Sequence, residues 1–245
     1  AVHTLGERPA RIAERRAFVE LFEALCRGER AEYDGEEVGL TWVRKRDEHP
    51  EIPVYLTAEG PKSFRMAGAV ADHVLVGTGI APEVLNEATR RIEAGAREAG
   101  RDPDDIEVWA MARAAVADDV GALREDLLTT VASVAHHTLA HTFEGKAVPT
   151  EHEDALRELV AEYDPEEHEG LGEDPTKNAR LVERLGLGDY LIERLCIAGT
   201  PAECVTEIER LEGVVDGVHF NPVHDTGEFV ARMAADVLPH LSDTE

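Results

Sequence analysis

Lysine is scarce in this chain, and the scarcity accompanies a large deficit of positive charge. The 245 residues include 25 Lys and Arg against 51 Asp and Glu, a formal net charge of -26. Only four of the cations are lysines, and no basic patch could neutralise phosphates, so we expect neither nucleic acid nor anionic membrane as a partner. The acidic residues are dispersed, which predicts a cytoplasmic protein of an extreme halophile. An ordinary acidic protein is the alternative.

Long apolar runs, paired cysteines and several common catalytic motifs are also missing. No run approaches the roughly 18 apolar residues of a transmembrane helix, and no segment has the pattern of a signal peptide. Cys26, Cys196 and Cys204 lack C-x-x-C spacing, and their helical contexts predict buried thiols, with neither disulfides nor a zinc site. Without a Ser-His-Asp arrangement, a Walker loop or G-x-G-x-x-G, hydrolase and nucleoside triphosphatase functions have no support.

Short apolar runs that end abruptly in glycine are the most informative feature present. Residues 53–62 (PVYLTAEGPK) and 72–79 (DHVLVGTG) each combine a β-branched run, a glycine-containing polar end and a following helical pattern. This combination is typical of buried parallel strands that lead into loops at a ligand site. We therefore predict strands at Val54–Thr57 and Val74–Val76, a third buried strand at Ile106–Val116, and a fourth within 213–222.

Helical periodicity fills most of the remaining chain. In the first helix, Phe18, Leu21, Phe22 and Leu25 form the predicted apolar stripe. A turn at Tyr33-Asp34-Gly35 suggests a small hairpin, and Arg44-Lys45-Arg46 is interpreted as a solvated loop. Thr200, Pro201 and Glu203 form a predicted capping box. The predicted helices cover 9–28, 62–70, 83–99, 119–141, 151–163, 176–186, 200–211 and 227–241.

These strands and helices alternate as they do in a (β/α) barrel. The length is close to the roughly 250 residues of an eightfold barrel. Residues 68–74 and 213–218 repeat the same order of glycine, small residues, aspartate and strand, which indicates repeated helix-to-strand connections. Only four such units can be counted, half of the eight that close a barrel.

In combination, three segments resemble the bacterial-luciferase-like superfamily. They are PVYLTAEGPK at 53–62, AGAVADHVLVG at 67–77, and GTPAE at 199–203 with GVVDGVHFNP at 213–222. The likeness is strongest to the deazaflavin-dependent branch, which includes methylenetetrahydromethanopterin reductase and its haloarchaeal relatives. It implies a (β/α)8 TIM barrel of which 1–245 is a single domain, the C-terminal four or five βα units, with a helical insertion at 142–190 before the last strand.

The resemblance also implies a function. We expect an oxidoreductase that transfers a hydride between reduced deazaflavin coenzyme F420 and a small substrate, a methylene-tetrahydropterin carrier by preference, without a metal. An FMN-dependent monooxygenase and a non-catalytic, cofactor-free paralogue are the alternatives. Barrel strands one to four are expected to be absent from this chain, together with the cis peptide and the acid/base residues of the family, so no catalytic residue is assigned. A homo-oligomer is expected, with the helix at 9–28 as one possible interface.

Candidate cofactor-binding residues follow the first two predicted strands. Their glycines would let backbone N–H groups approach an anion, and the next helix N-terminus would favour it. Tight turns alone are the plainer interpretation of these glycines. Lys62 would meet a phosphate or lie in solvent, and His137 and His141 share a helix face without the spacing of a zinc motif. The predicted cofactor contacts are Thr57, Ala58, Glu59, Gly60, Gly77, Thr78 and Gly79.

Overall fold

The computed structural model of the chain describes residues 6, 8–41, 52–168 and 176–241. The basic cluster predicted as a solvated loop, residues 44–46, lies outside these ranges. Among the described residues, no helix is long and apolar enough to cross a membrane.

The first element is helix α1 (Ile12–Cys26), and a small hairpin follows it. Strands β1 (Ala31–Tyr33) and β2 (Glu36–Val38) pair antiparallel around a turn at Asp34 and Gly35, as predicted. The apolar stripe of α1 is only partly buried, because the side chains of Phe18 and Phe22 are exposed. The helix contacts the protein through Val19 instead, which packs with Val54, Met66 and Val70.

Five parallel strands form the central sheet. Strand β5 is long enough to pair with β4 through its first half and with β6 through its second half, while β7 pairs along its other edge. Strand β3 pairs with β4 on the remaining side. Within the described residues β3 and β7 do not pair, so the sheet is open and not a closed barrel. The strands are β3 (Tyr55–Ala58), β4 (His73–Val76), β5 (Glu107–Val116), β6 (Cys196–Gly199) and β7 (Gly217–Pro222).

The two faces of this sheet differ. One face packs against helices α2 (Pro61–Val70) and α3 (Pro82–Glu98) to form the main core. On the other face, Tyr55 stacks on His73 with ring centroids 4.0 Å apart, and Trp109 meets Tyr55 edge-on. Burial along β5 alternates between buried and half-buried residues, so this predicted buried strand is fully buried on one face only.

A second core lies between α4 (Val120–Leu139) and the helices that follow it. Helices α5 (Glu153–Glu162), α6 (Lys177–Arg184) and α7 (Gly188–Leu195) contribute leucines and valines that pack on α4. These helices lie within and just beyond the predicted insertion at 142–190, whose status as a separate insertion stays a prediction. Helix α7 and strand β6 were not predicted.

The chain ends in helices α8 (Pro201–Glu209) and α9 (Thr226–Arg232). The predicted capping box of α8 is confirmed, because Thr200 Oγ1 accepts from the N–H of Glu203 and Glu203 accepts from the N–H of Thr200. The last predicted helix is shorter than expected. After Arg232 the backbone continues as a π-helical turn (Met233–Val237), which buries Met233 and Val237 in the main core.

Candidate functional site

The carboxyl ends of β3 and β4 lie side by side, because the two strands are adjacent and parallel. Ala58 is in register with Val76, so the residues that follow each strand meet at one edge of the sheet. We call Thr57–Gly60 the β3 rim and Gly77–Gly79 the β4 rim. In α/β sheets this edge is the usual place for a ligand site.

The β3 rim opens onto a cleft of about 790 Å³, which we call the rim cleft. Its wall carries three groups that can be cationic, Arg15 of α1, Lys62 of α2 and His137 of α4. A guanidinium N–H of Arg15 also donates to the carbonyl of Thr57 at 3.3 Å. The lining residues are Ile12, Arg15, Thr57, Glu59, Gly60, Pro61, Lys62, Ser63, His137, Thr142 and Glu144.

Glu59 connects the two rims and α4. Its Oε2 lies 3.1 Å from Nε2 of His137, and this contact raises the pKa of the histidine above its ordinary value. A Cβ added at Gly77 would approach Cγ and Oε1 of Glu59 to 3.0 Å, so the glycine leaves room for the Glu59 side chain over the end of β4. The carboxylate is thus held at the mouth of the cleft, with 31% of the side chain exposed.

Lys146 lies behind the β3 rim, and it is buried. Its ammonium donates to the carbonyl of Thr138 near the C-terminus of α4, where the helix dipole favours a cation. Burial lowers the pKa of Lys146, while the nearby Glu59 carboxylate acts in the opposite direction. Among the described residues Lys146 forms no ion pair within salt-bridge distance, and Glu59 is a carboxylate that acts on its charge from farther away.

Arg194 of α7 fixes the β4 rim from below. Its Nε donates to the carbonyl of Thr78 at 3.0 Å, and its Nη1 donates to the carbonyl of Ala147 and the hydroxyl of Tyr190. Its Nη2 donates to the carbonyl of Lys146. Burial lowers the pKa of this arginine. The side chain therefore cross-links the β4 rim to the segment that contains Lys146 and Ala147. Its hydrogen bonds go to carbonyl and hydroxyl groups, and in the described part of the chain it forms no salt bridge with a carboxylate.

The β4 rim itself is buried. Gly79 has φ +136°, and a Cβ there would come within 2.8 Å of the Arg194 carbonyl oxygen, so this position requires glycine for both conformation and space. Thr78 is 1% exposed, and its hydroxyl has no hydrogen-bond partner among the described residues. The plainer interpretation, a tight turn, therefore accounts for Gly79.

The backbone N–H groups at two of the predicted glycines, Gly60 and Gly77, have hydrogen-bond partners within the fold. Ser63 Oγ accepts from the N–H groups of Glu59 and Gly60, at 3.2 and 3.0 Å. The N–H of Gly77 donates to the carbonyl of Ala58 at 3.1 Å. These amides are already satisfied within the fold, so side-chain charge and not backbone N–H is what the β3 rim offers to an anion.

The remaining predicted reactive groups lie elsewhere. Cys196 is in strand β6 and not in a helix, and Cys26 is only half-buried, which corrects two of our expectations. Burial raises the pKa of the Cys196 thiol to about 12 and that of Cys204 to about 11, so neither is a thiolate near neutral pH. In the ranges that the structure describes, no three His, Cys, Asp or Glu side chains converge as metal ligands.

All seven predicted residues thus lie at the same edge of the sheet, but only some of them line the rim cleft. Thr57, Glu59 and Gly60 line the rim cleft, whereas Ala58 and the β4 rim lie beneath the surface. The buried cations Lys146 and Arg194 are not among the predicted site residues. One signal was available, since Lys146 is among only four lysines and stands between small and apolar residues.

Comparisons with known proteins agree with this architecture. The chain is 29% identical over 219 residues to 5,10-methylenetetrahydromethanopterin reductase of Methanopyrus kandleri, covering 86% of this chain and 58% of the relative. It is 26% identical over 259 residues to F420-dependent glucose-6-phosphate dehydrogenase of Microbacterium testaceum, covering 97% and 64%. The chain spans about three fifths of the length of the curated relatives it matches.

Structural comparison gives the same group of proteins. The coenzyme F420 dependent tetrahydromethanopterin reductase of Methanopyrus kandleri superimposes with a TM-score of 0.68 at 25% identity, over 94% of this chain and 64% of that one. The family model described as luciferase-like monooxygenase matches residues 2–216, which is most of the sequence. On this evidence, the chain belongs to the luciferase-like monooxygenase family.

Proposed function

We propose that this protein is a coenzyme F420-dependent oxidoreductase whose β3 rim holds the anionic tail of the cofactor. The observation that carries the proposal is the similarity to two F420-dependent enzymes, over 86% and 97% of the chain. The cation-lined rim cleft supports it. A methylene-tetrahydropterin is the proposed substrate, after the reductase relatives. The second relative acts on glucose 6-phosphate, so a phosphosugar is the next substrate to test.

The residues of the cleft fit such a group in charge and size. Arg15, Lys62 and His137 offer positive charge from three different helices, and Thr57 and Ser63 add hydroxyl groups. Pockets that bind small molecules and cofactors usually measure about 300–1,000 Å³, and the cleft lies within that range. The tail would therefore be bound by side chains around the start of α2.

The β4 rim would act indirectly. With Arg194 holding Thr78 and Ile80, the end of β4 is fixed relative to Glu59 and the β3 rim. We keep Gly77, Thr78 and Gly79 in the proposed site as the support on which Glu59 rests. When bound, the deazaflavin itself supplies the hydride chemistry, and the protein orients the cofactor and excludes water from it.

Titration of the purified protein with F420 and, separately, with FMN tests this assignment. We expect saturable binding of F420 and oxidation of its reduced form only when a suitable substrate is added. Tight binding of FMN instead would establish the monooxygenase alternative. If neither compound bound, the oxidoreductase assignment would be abandoned in favour of a non-catalytic paralogue.

A further inference from the structure

Two buried cationic side chains, Lys146 and Arg194, lie behind the residues that line the rim cleft. Lys146 and Arg194 are 4% and 3% exposed, and they interact electrostatically with each other. Each donates to backbone carbonyls and not to a carboxylate in salt-bridge contact within the described ranges. A pair of desolvated cations without a bonded carboxylate creates a positive potential at the nearest opening.

Two carboxylates lie within electrostatic reach of this pair of cations. Glu83 interacts electrostatically with Arg194, and Glu59 with Lys146. Of the two, Glu59 alone lines the cleft. It also contacts His137 at 3.1 Å, and Lys146 approaches the β3 rim so closely that its Cε lies 3.9 Å from a Cβ built at Gly60. The Glu59 carboxylate thus lies at a solvent-accessible surface that is close to the buried cations.

We propose that Glu59 is a built-in counter-ion of this site, which a tetrahedral oxyanion must displace from His137 in order to bind. The proposal deepens the proposed function, since the oxyanion would be a phosphate group of the ligand. It makes Glu59 a residue that limits affinity and selects ligands whose negative charge exceeds its own.

Glu59→Gln is the decisive variant. Glutamine keeps the volume and an oxygen that can accept from His137, and it removes only the charge. Sulfate is a suitable probe, because its charge is constant between pH 5 and pH 8, and calorimetric titration would run at a fixed chloride concentration and pH of about 5.5, where an ordinary imidazole is mostly protonated. Removing one negative charge a few ångströms from the anion is expected to tighten sulfate binding about tenfold.

Glu144→Gln is the matched control. Glu144 lines the same cleft, but it forms no ion pair in the described part of the chain. Its substitution removes the same charge without freeing His137, and sulfate affinity should change less than about twofold. The double variant Glu59→Gln with His137→Gln should lose most of the gain. Unfolding midpoints would establish that each variant is folded.

Nuclear magnetic resonance of the wild-type protein gives a second test that requires no substitution. In the wild-type protein, sulfate should shift the imidazole resonances of His137 and leave those of the distant His240 unchanged. The proposal is overturned if Glu59→Gln binds sulfate no more tightly than wild type, if Glu144→Gln gains as much, or if the His137 resonances do not respond. Failure of F420 and FMN binding together with a tenfold gain for sulfate would refute the proposed function and leave this inference standing.

Discussion

The β3 rim and the β4 rim have nearly the same sequence logic but opposite surroundings. The β3 rim contains the last two residues of a four-residue parallel strand, the β4 rim directly follows such a strand, and both rims end in glycine. The β3 rim lies at a cleft, with Glu59 held between His137 and Gly77. The β4 rim is covered by Arg194, which binds the carbonyl of Thr78. A parallel strand that ends in glycine therefore predicts a loop at the carboxyl edge of the sheet. Whether that loop is accessible to a ligand or buried depends on the element that packs over it.

Removing the cover from the β4 rim should have the largest effect. Arg194→Met deletes the donor to the buried carbonyls of Thr78 and Lys146 and to the half-buried carbonyl of Ala147, and it leaves them without that partner. An unsatisfied buried acceptor costs about 1–3 kcal/mol, so we expect a loss of roughly 4 kcal/mol in the free energy of unfolding by denaturant titration. Arg97→Met, at an exposed arginine paired with Glu93, is the control and should change stability little. An equal loss of stability in both variants would contradict the proposed stabilisation of the β4 rim by Arg194.

Alanine at the two glycines sharpens the comparison further. Gly79→Ala places a Cβ 2.8 Å from a backbone oxygen at φ +136°, and we expect a loss of about 3 kcal/mol. Gly77→Ala meets only the flexible end of Glu59 at 3.0 Å, so the cost should be below about 1 kcal/mol. Thermal and denaturant unfolding of the pair measure the difference. A greater cost at Gly77 would reverse our assignment of the two rims.

Ligand affinity should depend on the β3 rim. Lys62→Met removes one cation from the wall of the cleft and should weaken F420 binding about fivefold, with little change in stability. Arg16→Met is the matched control, because Arg16 pairs with Glu20 on α1 and does not line the cleft. Fluorescence titration would measure both. Equal affinity of Lys62→Met and wild type would exclude Lys62 from the site.

The smallest effect concerns pH and the adjacent histidines of α4. Glu59 raises the pKa of His137, so its stabilising contribution is complete below the unfolded pKa of about 6.5 and is lost as pH rises through the folded value. The pKa of His136 is lowered mainly by burial and further by the nearby His137 and His168. Its contribution to the free energy of unfolding is therefore lost as the pH falls through the pKa of the folded state. With 72% of the His137 side chain exposed, its contribution is about 0.5 kcal/mol.

Denaturant titrations of His137→Gln and His136→Gln between pH 5 and 8 measure these contributions. Relative to wild type, the first variant should lose stability mainly at acidic pH. The second should recover stability there, because it removes a group that resists protonation. The same pH dependence in both variants would contradict the opposite shifts.

Local sequence was sufficient for most elements of the fold. The glycine-terminated runs gave β3 and β4 to within a residue or two, and Thr200 and Glu203 marked the start of α8. Strand β6 was missed because its four residues become a strand only by pairing with β5, some eighty residues earlier. The exposed Phe18 and Phe22 show the same limit, since periodicity finds an apolar stripe but not the surface that it contacts.

The geometry of the candidate site was predictable, but the surroundings of its two rims were not. Parallel pairing of adjacent strands necessarily brings Thr57–Gly60 and Gly77–Gly79 to one edge. Nothing local to those segments indicates that Arg194, more than a hundred residues later, buries one of them. Nor does local sequence show that Ser63 satisfies the amides expected to bind an anion. The role of a loop at a sheet edge is set by its long-range partners.

Mapping of F420 binding onto the backbone amides tests the central claim most directly. In titrations of isotope-labelled protein, we predict that F420 shifts the amide resonances of Thr57–Ser63 and the imidazole of His137 in a saturable manner. The amides of Gly77–Gly79, held by Arg194 and β3, should shift much less. Absence of binding, or shifts centred on Gly77–Gly79 with the β3 rim unchanged, would contradict the account.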